Sequence, residues 1–237
     1  MNRHFEAISE NQMRQYIDAE TAFTAWLKAK REAAHVRGSM RWRELRGKNT
    51  LLRISTNGSQ KVIGGDTPEC QAIFTNFMRR KEDAESRVKS LRSSVEIHRN
   101  MNRALRVGRV PRVVIGILDA IEKAGLSEHF LTVGTHALYA YEAACGVRIG
   151  PSAMATNDVD LFLDARRHIG FFTQMERGNT SFIKILQKTD PSFKVMEDQK
   201  QTAMNSAGFQ VDVLRRVAQH DDPHPMRLSE DDNDLWA

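Results

Sequence analysis

Apolar positions change period along this chain, and the changes mark its elements. Met13, Tyr16, Ile17, Phe23, Trp26 and Leu27 recur at helical spacing. Ser9 and Gln12 have the form of a capping box just ahead of them. The spacing predicts an amphipathic helix to about residue 34. Gly38 breaks it, and residues 40–45, 50–55 and 61–63 read as short strands. Gly47-Lys48-Asn49 and Asn57-Gly58-Ser59 supply the turns between them. Thr67 then suits an N-cap and Pro68 a first helical position. Cys70, Phe74, Phe77, Ala84, Val88, Leu91 and Val95 keep a 3–4 alternation that only Lys81 interrupts. That pattern predicts a long helix to about residue 105, packed as a hairpin against the first helix or as a coiled coil with a second chain. Gly108 and Pro111 end it.

Beyond Pro111 the elements shorten. Val113, Val114, Ile117, Leu118 and Ile121 mark the buried face of a helix over 112–124, which Gly125 stops. Residues 130–133 read as an apolar strand. Residues 136–145 read as a helix with Ala137, Leu138, Ala140, Tyr141 and Ala144 on its packed side, and 147–157 as a loop. Strands follow at 158–163, 194–196, 201–204 and 209–214, with a short helix near 180–187 and a turn at Asn205-Ser206-Ala207-Gly208. Helices mixed with a small sheet give an α/β (α+β) class. The expected division is a helical N-terminal region with a short β-meander over 1–108, a domain over 109–220, and an acidic C-terminal tail over 221–237.

Composition narrows the setting. At 237 residues, 41% hydrophobic and 27% charged, the chain is ordinary for a soluble protein. It holds no apolar run of about 18 residues, and its first residues lack an apolar signal core. Cys70 and Cys145 lie far apart and fit a reducing, cytoplasmic setting without a membrane partner. The formal charge of +5 is uneven. From 79 to 112 there are eleven Arg or Lys against four acids, and from 220 to 237 six acids against Arg227 alone. A basic middle points to a polyanionic partner such as nucleic acid. Arg41, Arg43, Arg46, Lys48, Arg53 and Lys61 stud the meander around Trp42. That set fits single-stranded nucleic acid by charge and stacking, and it equally fits a solvated sheet with Trp42 packed on a helix.

The candidate chemistry lies in the strands. Alternation over 158–163 puts Val159, Leu161 and Leu163 on one face and Asp158, Asp160 and Phe162 on the other. Over 209–214 it separates Phe209, Val211 and Val213 from Gln210, Asp212 and Leu214. If both apolar faces cover the same helices, Asp158, Asp160 and Asp212 converge. Unpaired carboxylates repel, so such a group invites a divalent cation, and hard oxygen ligands favour Mg²⁺ or Mn²⁺. The apolar strand before Gly134-Thr135 runs into a small turn at a helix start, a place where backbone can approach phosphate. A calcium loop from Asp158, Asp160 and Asp164 lacks Gly at its sixth position and Glu at its twelfth. Asp-x-Asp glycosyltransferases and haloacid dehalogenase-like phosphatases carry their apolar run before the first Asp, whereas Leu161-Phe162-Leu163 follows it here. His220-Asp221-Asp222-Pro223-His224 holds metal-capable groups at no recognised spacing and reads as part of the tail.

Gly134-Thr135 at a helix start, Asp158-Val159-Asp160 on the next strand and Asp212 on a later one together resemble the nucleotidyltransferase superfamily typified by DNA polymerase beta. The runs Val133-Gly134-Thr135-His136-Ala137-Leu138-Tyr139-Ala140-Tyr141-Glu142 and Thr156-Asn157-Asp158-Val159-Asp160-Leu161 look like a bacterial family of uncharacterised nucleotidyltransferase-like proteins, over about residues 110–215. The resemblance implies a small mixed sheet with flanking helices and transfer of a nucleoside monophosphate from an NTP to a hydroxyl acceptor, with RNA among the acceptors. It makes Asp158, Asp160 and Asp212 catalytic and metal-binding, and Gly134, Thr135 and His136 nucleotide-binding, with Mg²⁺ or Mn²⁺ as cofactor. The same resemblance allows a catalytically weak or inactive binding module, or part of a toxin or defence system, and the long helix allows a homo-oligomer. The long gap from Gly134 to Asp158, and an acidic tail where superfamily members usually add a helical region, depart from the pattern.

Overall fold

The computed structural model describes residues 5–164, 166, 168–217 and 225–237. The chain forms two compact units, one from Ser9–Val107 and one that joins Met1–Ile8 to Gly108–Ala237. Strand β1 (Phe5–Ala7) belongs to the second.

The Ser9–Val107 unit contains helix α1 (Glu10–Ala34), the antiparallel strands β2 (Ser39–Leu45), β3 (Lys48–Ile54) and β4 (Gln60–Gly65), and helix α2 (Pro68–Ala104). The capping box forms as the sequence implies. Gln12 N–H donates to Ser9 Oγ at 3.3 Å, and Ser9 N–H donates to Gln12 Oε1 at 3.1 Å, so two orphan donors of the first turn are satisfied. The two helices pack as a hairpin. The expected heptad on α2 faces inward, and Lys81 fits the seam because its ammonium donates to Gly38 O at 2.8 Å. On α1 the seam differs from the expected stripe. Ile17 and Phe23 are exposed, while Ala29 and Gln15 are buried. Small residues let the helices approach, and Gln15 Nε2 donates to Asn102 Oδ1 at 2.7 Å and to His98 O at 3.2 Å. A buried polar layer of this kind fixes register. The Trp42 ring centroid lies 6.2 Å from that of Phe74 in a tilted contact, and the Arg53 guanidinium lies 4.2 Å over Phe77. One face of the sheet therefore covers α2.

The second unit continues with α3 (Arg112–Lys123), β5 (Phe130–Val133), α4 (Gly134–Cys145), β6 (Val147–Ile149), β7 (Asp158–Leu163), α5 (His168–Gly178), α6 (Phe182–Gln187), β8 (Lys194–Val195), β9 (Thr202–Met204) and β10 (Gln210–Leu214). Its main sheet has the order β5-β7-β10-β9-β8. β7 and β10 run parallel and every other pair is antiparallel. Val159, Leu161 and Leu163 alternate into a core with Ile117, Ile121, Phe171, Phe182 and Val211. The mixed sheet with helices is the α+β class expected.

Two connections differ from expectation. The segment 147–149, expected in a loop, pairs with β1, Phe5 opposite Ile149. The C-terminal residues 225–237, expected as a tail, return to the core: Met226, Leu228 and Leu235 are buried there. Asp234 is 1% exposed and accepts from the Phe182 and Ile183 N–H groups at 2.7 Å each and from Ser229 Oγ at 2.6 Å. It therefore caps α6 from a distant part of the chain. Residues His220 to His224 lie outside the described residues.

Candidate functional site

Register brings the carboxylates together. β10 lies beside β7 with Asp212 opposite Asp160, while Val211 and Val213 point into the core with Val159 and Leu161. Because both strands alternate in step, their polar positions share the other face. Asp158, Asp160 and Asp212 each offer an oxygen, and these oxygens lie within 4.8 Å of one another. Two oxygens bound to one hard cation at about 2.0–2.6 Å stand at most about 4–5 Å apart, so the three can share one ion.

Hydroxyls orient two of the three acids. Thr156 Oγ1 donates to Asp158 Oδ1, and the buried Thr202 donates through Oγ1 to Asp212 Oδ1. Thr156 stood in the sequence motif, but Thr202 did not signal itself. It sits across β9–β10 from Asp212, a pairing visible only once the register is known. Asp160 has its carboxyl raised above the usual range, first by burial and then by the charges of Asp158 and Asp212, with His136 opposing. A cation in the cluster would relieve both causes.

Helix α4 starts beside this cluster. β5 pairs with β7 so that Val133 stands opposite Asp160, and the next residue, Gly134, takes a left-handed φ of +62°. Its backbone abuts the Asp160 carboxylate, leaving no room for a side chain. Thr135 follows in the first helical turn, whose N-cap Val133 provides no side-chain hydrogen bond. His136 is 6% exposed. Burial pushes its imidazole below the ordinary range, against the Asp158 backbone and the Asp158 and Asp160 charges. Among the described residues its Nδ1 meets no hydrogen-bond partner. Its ring lies 5.8 Å from Tyr139 and 6.2 Å from Phe209. The structure thus places Gly134, Thr135 and His136 at the head of one helix, with Gly134 against Asp160 and His136 within electrostatic reach of Asp158 and Asp160.

The inward face of α4 is not the expected one. Tyr141 is 63% exposed, and Ala140 and Ala144 face solvent. His136 and Glu142 are the buried residues. Glu142 is held by Arg109, whose Nε donates to Oε2 at 3.2 Å and whose Nη2 donates to Oε1. Ile149 N–H adds a bond at 2.5 Å, and the Arg109 guanidinium lies 5.9 Å over Tyr139. Burial works to raise the Glu142 carboxyl, yet the Arg109 hydrogen bond, the Ile149 N–H and the charges of Arg109 and Arg148 hold it below the ordinary range. Polar residues turn inward on α4 because their partners lie inward, which apolar periodicity cannot show.

A family model described as a nucleotidyltransferase matches residues 112–237, over half of the chain. No curated protein and no solved structure matches it.

Proposed function

The chain belongs to the nucleotidyltransferase family, and from that premise we propose that it moves a nucleoside monophosphate from an NTP to a hydroxyl acceptor, with RNA the favoured acceptor. The observation that carries this reading is the meeting of Asp158, Asp160 and Asp212 beside the Gly134 turn at the head of α4.

The three carboxylates would hold Mg²⁺ or Mn²⁺, which when bound supplies Lewis-acid polarisation and neutralises the charge of the departing diphosphate. The donor set is all oxygen and its atoms lie within 4.8 Å of one another, so the residues present fit such an ion. Gly134 lets phosphate come close to the main chain, and Thr135 with the first N–H groups of α4 binds phosphate oxygens. His136, buried and with no partner for Nδ1 among the described residues, would border the bound phosphates. Thr202 holds one oxygen of Asp212 and leaves the other to take the acceptor proton. The acceptor oxygen bonds to the α-phosphorus as the α–β phosphoanhydride bond breaks, and diphosphate leaves. Catalysis is then positioning and electrostatics on an in-line displacement.

The test is incubation with each radiolabelled NTP, Mg²⁺ or Mn²⁺, and total cellular RNA and protein. Label transfer that disappears in Asp160→Ala supports the reading. Equal transfer by that variant overturns it. Absence of transfer with every donor, metal and acceptor points instead to a binding module.

A further inference from the structure

The two units differ sharply in charge. Residues 9–107 carry 20 Lys and Arg against 11 Asp and Glu, whereas the rest of the chain carries 15 against 19. The catalytic reading uses nothing from the basic unit. Within it, the stretch 39–65 has six cations and a single acid, Glu44.

The sheet sorts these cations. Arg53 is turned onto α2, stacked over Phe77 and donating to Arg37 O at 2.5 Å. Arg41, Arg43, Arg46, Lys48 and Lys61 are exposed. None of these five makes an ion pair among the described residues. Arg41 and Arg43 flank Trp42 on β2. Trp42 packs on Phe74, so alternation sends both arginines to the opposite face, about 6.8 Å apart, where both are exposed while Leu52, paired with Arg41, is covered. Arg46 and Lys48 extend the positive field around the β2–β3 turn. Cations crowded in this way repel one another unless anions sit among them.

We infer that the exposed cations of β2 and the β2–β3 turn, Arg41, Arg43, Arg46 and Lys48, bind the phosphate backbone of a nucleic-acid strand, which, resting on the transfer reading above, carries the acceptor hydroxyl. The inward turn of Trp42 decides how the strand is read. Base stacking needs an exposed aromatic ring, and the cationic face of β2 presents none, so recognition goes through phosphates and tolerates any sequence. An anionic membrane is the weaker match. Interfacial binding couples cations to a band of inserted apolar side chains, and on these strands Val62 is the large apolar residue left exposed.

Fluorescence anisotropy of the full-length protein with short single-stranded RNA and DNA probes tests this across a salt series. Each phosphate contact to a single strand contributes about 0.7 to the slope of log affinity against log salt. Arg41→Gln with Arg43→Gln should therefore lower the slope by about 1.4 and weaken binding about tenfold or more at low salt. Arg41→Lys with Arg43→Lys should retain binding within about threefold, since charge rather than bidentate geometry is used. Circular dichroism of both variants should match the parent, because the substituted side chains are exposed. Equal affinity for RNA and DNA supports the inference, and a preference for either supports it and identifies the source of the phosphate. No binding to either probe, binding unchanged in the glutamine variant, or capture by phosphatidylserine vesicles alone would overturn it. Asp160→Ala should lose transfer and keep strand binding, so the two readings are tested separately. Strand binding without NMP transfer by the parent protein defeats the transfer reading alone. Transfer to a small hydroxyl acceptor without strand binding defeats this inference alone.

Discussion

Gly134 stands so close to Asp160 that a Cβ added to it would lie 2.1 Å from the carboxylate Oδ2. The short Asp160 side chain can swing away, so the cost falls on the site more than on the fold. Gly134→Ala should lose about 1–2 kcal/mol in urea unfolding, the strain of a left-handed alanine. It should also lose metal-dependent nucleotide binding by about tenfold or more. Full binding and transfer in this variant would count against a phosphate site at the head of α4.

Asp160→Asn removes a charge that burial and two neighbouring carboxylates disfavour. In EDTA the variant should unfold at the same temperature as the parent or higher, because like-charge repulsion is relieved. The parent should gain thermal stability on adding Mn²⁺, by linkage of binding to folding, and the variant should gain little. Transfer should fall by about a hundredfold to a thousandfold. Differential scanning fluorimetry and label transfer read the two effects separately.

The Arg109–Glu142 pair sets a pH dependence. The folded Glu142 carboxyl lies below its unfolded value of about 4.3. Its contribution is therefore complete above that value and is lost as pH falls through the lower, folded one. Arg109→Ala should cost about 2–3 kcal/mol at neutral pH, since it leaves a buried carboxylate without its cation. Glu142→Gln should flatten the acid side of the stability curve. Urea unfolding between pH 3 and 7, about the range in which carboxylates titrate, checks both.

Asp234→Ala leaves the first N–H groups of α6 without their cap. The loss should be about 1–3 kcal/mol, far more than expected for an acid in a solvated tail. Asp234→Asn, which keeps one acceptor, should lose less. Chemical denaturation distinguishes a cap from a solvated acid.

These residues show what the sequence could express. Val159, Leu161 and Leu163 alternate strictly with Asp158, Asp160 and Phe162, so one buried face fixed where the acids point. Asp212 followed from the same rule, and the Ser9–Gln12 capping box from local chemistry alone. Legibility failed where a polar residue is buried by a distant partner. Gln15 meets Asn102, Glu142 meets Arg109, and Asp234 meets the start of α6. None leaves an apolar period behind. β1 and β6 are three residues each, too short for alternation to register. The α1 seam departs from its apolar stripe because Ala29 and Gln15 lie inside while Ile17 and Phe23 do not.

The pairing of β1 with β6 bears on how the chain is made and cut. Phe5–Ala7 is synthesised about 140 residues before Val147–Ile149 exists to receive it. At ribosomal rates of about 5–20 residues per second, that edge waits roughly 7–28 s, while the whole 9–107 unit can form in between. A recombinant fragment begun at Arg112 would hold all three aspartates yet lack both the strand that covers β6 and the arginine that neutralises Glu142. Expression boundaries chosen from the matched segment alone would thus strip two supports from the helix that starts at the site.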